Sequence, residues 1–188
     1  MKAQLQTESF NKIIDATKDF VLKNNSRPQH TYVRLEFCKE DMKVTAIAVN
    51  GFIMAVHKCD LLFLDCDFVA YIKPNMKLPR YESAVLELEG EYLTVFCGDN
   101  SFGFRQPTAE FLDWQKVLPA KEPSFEIYAN IDYMISALKS IKNGRSTTSG
   151  TPICKMIFRS ALDPIIVQEN KDMNNIGMVL PVRGGRED

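Results

Sequence analysis

Two histidines, five cysteines and a scatter of carboxylates are the residues here that could do chemistry. His57, Cys59 and Cys66 are ligands of the kind zinc prefers. No Cys-x-x-Cys pair and no second cluster accompany them, so no metal is expected. His30 and His57 could each act as a base, yet there is no Gly-x-Ser-x-Gly elbow and no Asp/Glu pair beside a glycine-rich cradle. Glu87 and Glu89 lie in an alternating stretch and read as solvated. The polar loop Asn143 to Gly150 is rich in Gly, Ser and Thr but lacks the Gly-Lys-Ser/Thr ending of a phosphate-binding loop. A hydrolase or nucleotide-binding enzyme built on His57 is kept as a third reading; catalytic residues and cofactors are not expected.

Composition narrows the class. The chain has 188 residues, 45% of them apolar and 25% charged, as in a soluble globular protein. Twenty-three Lys and Arg against 24 Asp and Glu leave a net charge of -1, which argues against a generally basic nucleic-acid binder. No apolar run approaches the length of a membrane span, and no secretory leader is visible, so a cytoplasmic location is expected. The five cysteines (Cys38, Cys59, Cys66, Cys97, Cys154) are odd in number and lie mostly in or beside apolar runs, as small buried hydrophobes do.

These residues must be positioned by elements that the hydrophobic periodicity marks. From Glu8 to about Asn24, Phe10, Ile13, Ile14, Thr17, Phe20 and Val21 form one stripe and predict a helix, with Thr7 or Ser9 as its cap and Asn24 to Pro28 as its stop. Thr31–Phe37 alternates as a strand with one solvated face. Lys43 to Val56 is a longer β-rich run interrupted by Asn50-Gly51, a dipeptide suited to positive φ. Phe68–Ile72 is a further strand. Ala84–Glu89 and Tyr92–Cys97 spell a hairpin about Gly90, and Ser101–Arg105 follows a turn at Asp99-Asn100. The last third predicts a short strand at Phe125–Tyr128, a helix from Ile131 to Lys142 capped by Asn130, and strands at Ile153–Phe158, Ile165–Gln168 and Ile176–Val182. The first 75 residues and the last 65 or so thus both read strand, helix, strand, strand, strand, the strand near Leu5 being the weakest in pattern. The expected class is α+β, with repeated β-α-β-β-β units, antiparallel sheets and two main helices.

Three segments carry a resemblance: Ala46–Val56, Phe111–Pro119 and Gly177–Arg183. In that order they resemble the segments that build the peptide-binding pocket of the bacterial DNA polymerase III beta subunit, the beta sliding clamp family. The unit order is similar to that family too, whose domains each pair two such units about a pseudo-two-fold axis. The resemblance implies a middle-domain-like region over 1–120 without its second helix, and the second half of a last domain over 121–188, unless the two are merged in one compact domain. The first clamp domain and the first half of the last have no counterpart. The helix expected after Lys73-Pro74 is replaced by Asn75–Arg80.

What the resemblance implies is a docking platform, or competitor, for replication or repair proteins and not an enzyme. Partners would insert short linear peptides into a hydrophobic pocket at Gly51, Phe52, Met54, Leu112, Lys116, Val117, Met178, Leu180, Pro181, Val182 and Arg183. Methionines give such a lining adaptability, and Gly51 and Pro181 suit close approach of another backbone. The same residues have plainer readings: Ile53 and Met54 as core, Leu180–Val182 as an edge strand, Trp114 as either core or anchor. Two departures stand out, Phe52-Ile53 where the family usually has a polar or basic pair, and Leu112 at a usual Pro position.

The alternative is a multi-copy processivity clamp encircling duplex DNA. A chain of this length would need about four to six copies head to tail to close a ring. The DNA-facing candidates are Lys12, Lys23, Lys139 and Lys142. Lys12 and Lys23 share a face with Asp15 and Asp19, so no basic stripe forms to release counterions from phosphates. Duplex DNA and a homo-oligomer stay open as partners; a membrane is not expected.

Overall fold

The computed structural model describes residues 1–23, 27–145, 150–170 and 175–183. The predicted helix stop at Asn24–Ser26 and most of the polar loop after Asn143 lie outside these. Among the described residues are two α-helices and three antiparallel sheets. The chain divides into two compact units, Met1–Trp114 and Gln115–Asp188.

In the first unit, β1 (Lys2–Gln6) leads into α1 (Thr7–Thr17). β2 (Val33–Cys38), β3 (Lys43–Val49) and β4 (Met54–Asp60) follow, then β5 (Phe63–Leu64) and β6 (Phe68–Ile72). β7 (Ser83–Glu89), β8 (Tyr92–Cys97) and β9 (Asn100–Arg105) complete it. One sheet runs β4-β3-β2-β6 and the other β5-β1-β7-β8-β9. The strands near residues 84 to 107, which the sequence does not place, therefore extend the sheet that holds β1. Alternation explains the packing: Leu35, Ala46 and Ala70 from one sheet, Leu5, Leu86 and Leu93 from the other, and Phe10 and Ile14 of α1 share one core. Phe37 and Phe68 stack in it at 4.2 Å between ring centroids.

Several expectations need correction here. The first helix ends at Thr17 and passes into a 3-10 turn over Lys18–Phe20 instead of continuing to residue 24. Thr17 is buried and its hydroxyl donates to the Ile13 carbonyl at 2.8 Å, a local bond that competes with the regular ladder. Neither Thr7 nor Ser9 caps the start: Gln6 holds that position without a side-chain bond, and the Thr7 hydroxyl donates to the Tyr81 carbonyl. β1, the weakest strand in the sequence pattern, lies inside its sheet with β5 on one side and β7 on the other. The expected interruption of the run from Lys43 to Val56 is found: Asn50 Oδ1 accepts from the Phe52 and Ile53 N–H groups and Gly51 takes φ +92°, which separates β3 from β4. Glu87 is less solvated than expected, since Lys2 reaches it at 2.8 Å.

No helix follows β6. The segment in its place is fastened by Asn11, whose side-chain amide donates to the Leu78 carbonyl (3.0 Å) and accepts from the Leu78 N–H (2.8 Å). Leu78 itself is buried in the core.

The second unit holds α2 (Ile131–Asn143), β10 (Cys154–Ile157), β11 (Ile165–Glu169) and β12 (Ile176–Val179), with the strands in sequential order. Asn130 caps α2 as predicted, accepting from Asp132 and Tyr133. Ile141, Ile165, Val167 and Val179 form its small core. At Gly177 a Cβ would come within 3.3 Å of the Ala137 Cβ, so helix and sheet approach closely there. Two strand expectations fail. Phe125–Tyr128 is not in a sheet, and the last strand stops at Val179, two residues before Pro181, which has no N–H to continue the ladder.

Candidate functional site

The residues that could bind something in the first unit lie on the face of the β4-β3-β2-β6 sheet turned away from the main core. Ile47, Val49 and Tyr71 point there, and Phe111 folds over them, with Met54, Val56 and Trp114 packed alongside. The segment bearing Phe111 has no strand of its own, so side chains hold it. Gln29 donates to the Glu110 carbonyl at 3.0 Å. The Trp114 indole N–H donates to Glu36 at 3.2 Å, and the other Glu36 oxygen accepts from Arg34 at 2.7 Å. Arg34 also donates to the Tyr71 hydroxyl at 2.9 Å and lies 5.3 Å above the Phe111 ring. Gln106 clamps the Tyr71 backbone from both sides, accepting from its N–H and donating to its carbonyl.

Beside this fastening a groove of about 780 Å³ opens, lined by Leu22, Arg27, His30, Gly51, Phe52 and Leu112 among others. Gly51 and Phe52 reach it because the Asn50 turn projects them from the sheet; the Phe52 side chain is 96% exposed. His30 is 8% exposed, tilts against Phe111 at 4.7 Å, and its Nδ1 is buried without a hydrogen-bond partner among the described residues. Burial, and secondarily the Arg27 charge, lowers its pKa, so the ring is held neutral at physiological pH. The groove is thus a concave surface of mixed character, in which Leu22, Val49, Phe52, Phe111 and Leu112 alternate with polar groups such as Arg27, His30, Glu110 and Asp113, able to hold a side-chain anchor with polar groups at its rim.

Of the sequence-predicted positions in this unit, Gly51, Phe52 and Leu112 line the groove, and Met54 sits half-buried in the adjoining cluster. Lys116 and Val117 fall in the second unit, exposed in a 3-10 turn over Gln115–Val117. Met178 (60% exposed), Leu180 (61%), Val182 and Arg183 are exposed and Pro181 half-buried, while Val179 between them is buried. His30, Arg27 and Leu22 were missed as lining residues. They lie in short turns without periodicity, and nothing local in the sequence shows that Phe111 folds onto them.

The other candidates are simply placed. Lys12, Lys23, Lys139 and Lys142 are all exposed. Asp15 pairs with Lys18 at 2.6 Å on the same side of α1 as Lys12. His57 is exposed on β4, and among the described residues no three His, Cys, Asp or Glu side chains gather to hold a metal. Burial and the Asp60 charge push the Cys59 thiol up to about 11, which leaves it unreactive at neutral pH.

Two antiparallel sheets sharing a core with a helix, and a second helix over a further three-stranded sheet, make the α+β fold of the DNA sliding clamps. The chain overlays the DNA polymerase sliding clamp of Bacillus subtilis with a TM-score of 0.68 at 14% identity, covering 98% of this chain and 65% of that one. A putative DNA polymerase III beta subunit from Eubacterium rectale gives 0.71 at 9% identity over 97% and 65%. The Helicobacter pylori beta clamp in complex with 3,4-difluorobenzamide gives 0.67 at 17% over 91% and 47%. This chain therefore spans from about half to two-thirds of the clamps it matches. Neither a protein-family model nor a curated protein matches the sequence.

Proposed function

We propose that this chain is a shortened clamp-like protein of DNA replication or repair that docks the short linear peptides by which partners engage clamps. Its role on this reading is that of a platform or competitor for a DNA polymerase and other replication proteins, not that of an enzyme. The observation that carries it is the retention, on a sliding-clamp fold, of exposed apolar side chains at the positions where the family resemblance places peptide contacts. Phe52 and Leu112 border the groove of the first unit, and Met178, Leu180 and Val182 are exposed in the second. Anchored peptides bind through a few exposed apolar contacts of this kind. A division of the chain near residue 120 into a middle-domain-like region and half of a last domain belongs to the same proposal.

The ring-forming alternative is less well supported. Lys12 is the one lysine of α1, against Glu8 and Asp15 on the same helix, and Asp15 pairs with Lys18 just beyond it, so that helix offers phosphates no net positive charge.

The experiment is a titration of a fluorescent clamp-binding peptide against the protein, Phe52→Ala and Leu180→Asp. Saturable binding weakened at least about tenfold by either variant is expected, the loss of one buried anchor being about 1.4 kcal/mol or more. No binding by the wild type at high micromolar concentration would refute the proposal.

A further inference from the structure

We propose that two copies of the chain join through their second units in a two-fold pair, each lending its Phe125–Tyr128 segment to the β10 edge of the other. This goes beyond the docking role and does not rest on it.

The first unit displays the rule. It contains two halves, one beginning with β1 and continuing through β2 to β4, the other beginning with β6 and continuing through β7 to β9. Neither first strand pairs with the second strand of its own half. β1 lies antiparallel to β7, and β6 lies antiparallel to β2. Each half thus completes the sheet of the other.

The second unit contains one such half. Phe125–Tyr128 precedes α2 as β1 precedes α1, and the correspondence extends to single atoms. Leu62 donates its N–H to the carbonyl of Gln4, two residues before the cap Gln6, at 2.7 Å. Val182 donates to the carbonyl of Tyr128, two residues before the cap Asn130, at 2.8 Å. Ala3 and Leu5 enter the core of the first unit; Ile127 and Ala129, at the same offsets from their cap, pack on the core of the second. One side of Phe125–Tyr128 is therefore occupied as in β1. The side that β7 takes in the first unit has no strand on it among the described residues, and β10 pairs with β11 alone.

A second copy supplies what is missing, because the exchange is reciprocal and closes on itself about a two-fold axis. Side chains choose the register. With Glu126 opposite Lys155, opposite charges meet, much as Lys2 meets Glu87 at the corresponding place. Tyr128 (54% exposed) then faces Ile153 (59%), and Phe125 faces Met156, both also exposed. An unpaired edge flanked by exposed apolar side chains invites such pairing.

The test is sedimentation of the full chain over about 1–100 µM, the range in which interfaces of ordinary size assemble. A species of twice the chain mass is expected. Glu126→Lys and Lys155→Glu should each weaken it several-fold, and the double variant should restore it. As a readout that does not depend on affinity, a chain carrying both Glu126→Cys and Lys155→Cys should form a disulfide-linked dimer with oxidised glutathione, beyond the level of either single substitution. A monomer throughout, a larger closed assembly, charge reversals without effect or without mutual rescue, or no added cross-link overturns the proposal.

Discussion

Phe111 is the residue through which the groove can be tested most directly. It is 7% exposed, lies 4.7 Å from the His30 ring and 6.0 Å from Tyr71, and has the Arg34 guanidinium 5.3 Å above it. Truncating a buried Phe to Ala costs about 3–5 kcal/mol. Because this cavity would open toward the groove and admit water, the lower end applies, about 3 kcal/mol. That is a large part of the roughly 5–15 kcal/mol that holds a domain together. With a urea slope of about 1–3 kcal/mol/M, the midpoint of the first unit should fall by about 1–3 M. Trp114 is the chain's one tryptophan and hydrogen-bonds Glu36 in the same layer, so its fluorescence reports the transition locally. Native-state Trp114 emission should also shift to the red as the segment loosens. A loss below about 1 kcal/mol, with unchanged emission, would mean that residues 110–114 do not pack on the sheet and that the groove wall is not built as described.

Further outcomes follow from the same geometry. Because the His30 pKa is lowered in the folded protein, the unfolded chain binds the extra proton first as pH falls below the ordinary value of 6.5. Stability should therefore drop as pH falls from there toward the lowered folded value, and His30→Phe should flatten that drop in urea titrations at several pH values. Gly98 has φ +57° and a Cβ there would enter the Tyr81 ring, whereas Gly90, at the same φ, faces open space. Gly98→Ala should thus destabilise by clearly more than Gly90→Ala, for which about 1 kcal/mol of backbone strain is expected; equal midpoint shifts would contradict the packing of Tyr81. In thiol labelling at neutral pH, exposed Cys66 should react well before buried Cys97, which should label only on unfolding.

Much of this protein is legible one element at a time. Alternation marks β2, β7 and β8, since each has a buried and a wetter face, and a side-chain period of two records that difference. The Asn50-Gly51 turn and the Asn130 cap are chosen by local backbone chemistry, so they can be read from a few residues. The order of the three segments pointed to the fold through their resemblance to the sliding-clamp family, not through local chemistry. Tertiary structure decided which strands pair: β1 lies beside β7, some 80 residues away, through main-chain hydrogen bonds and a Lys2–Glu87 pair that no local stretch of sequence announces. The same pattern of residues at Phe125–Tyr128 predicts a strand that the single chain does not form, because a strand exists only where a partner presents an edge. His30 is likewise ordinary in sequence; it became part of a groove because Phe111, in a segment without periodicity, folds across the sheet to cover it.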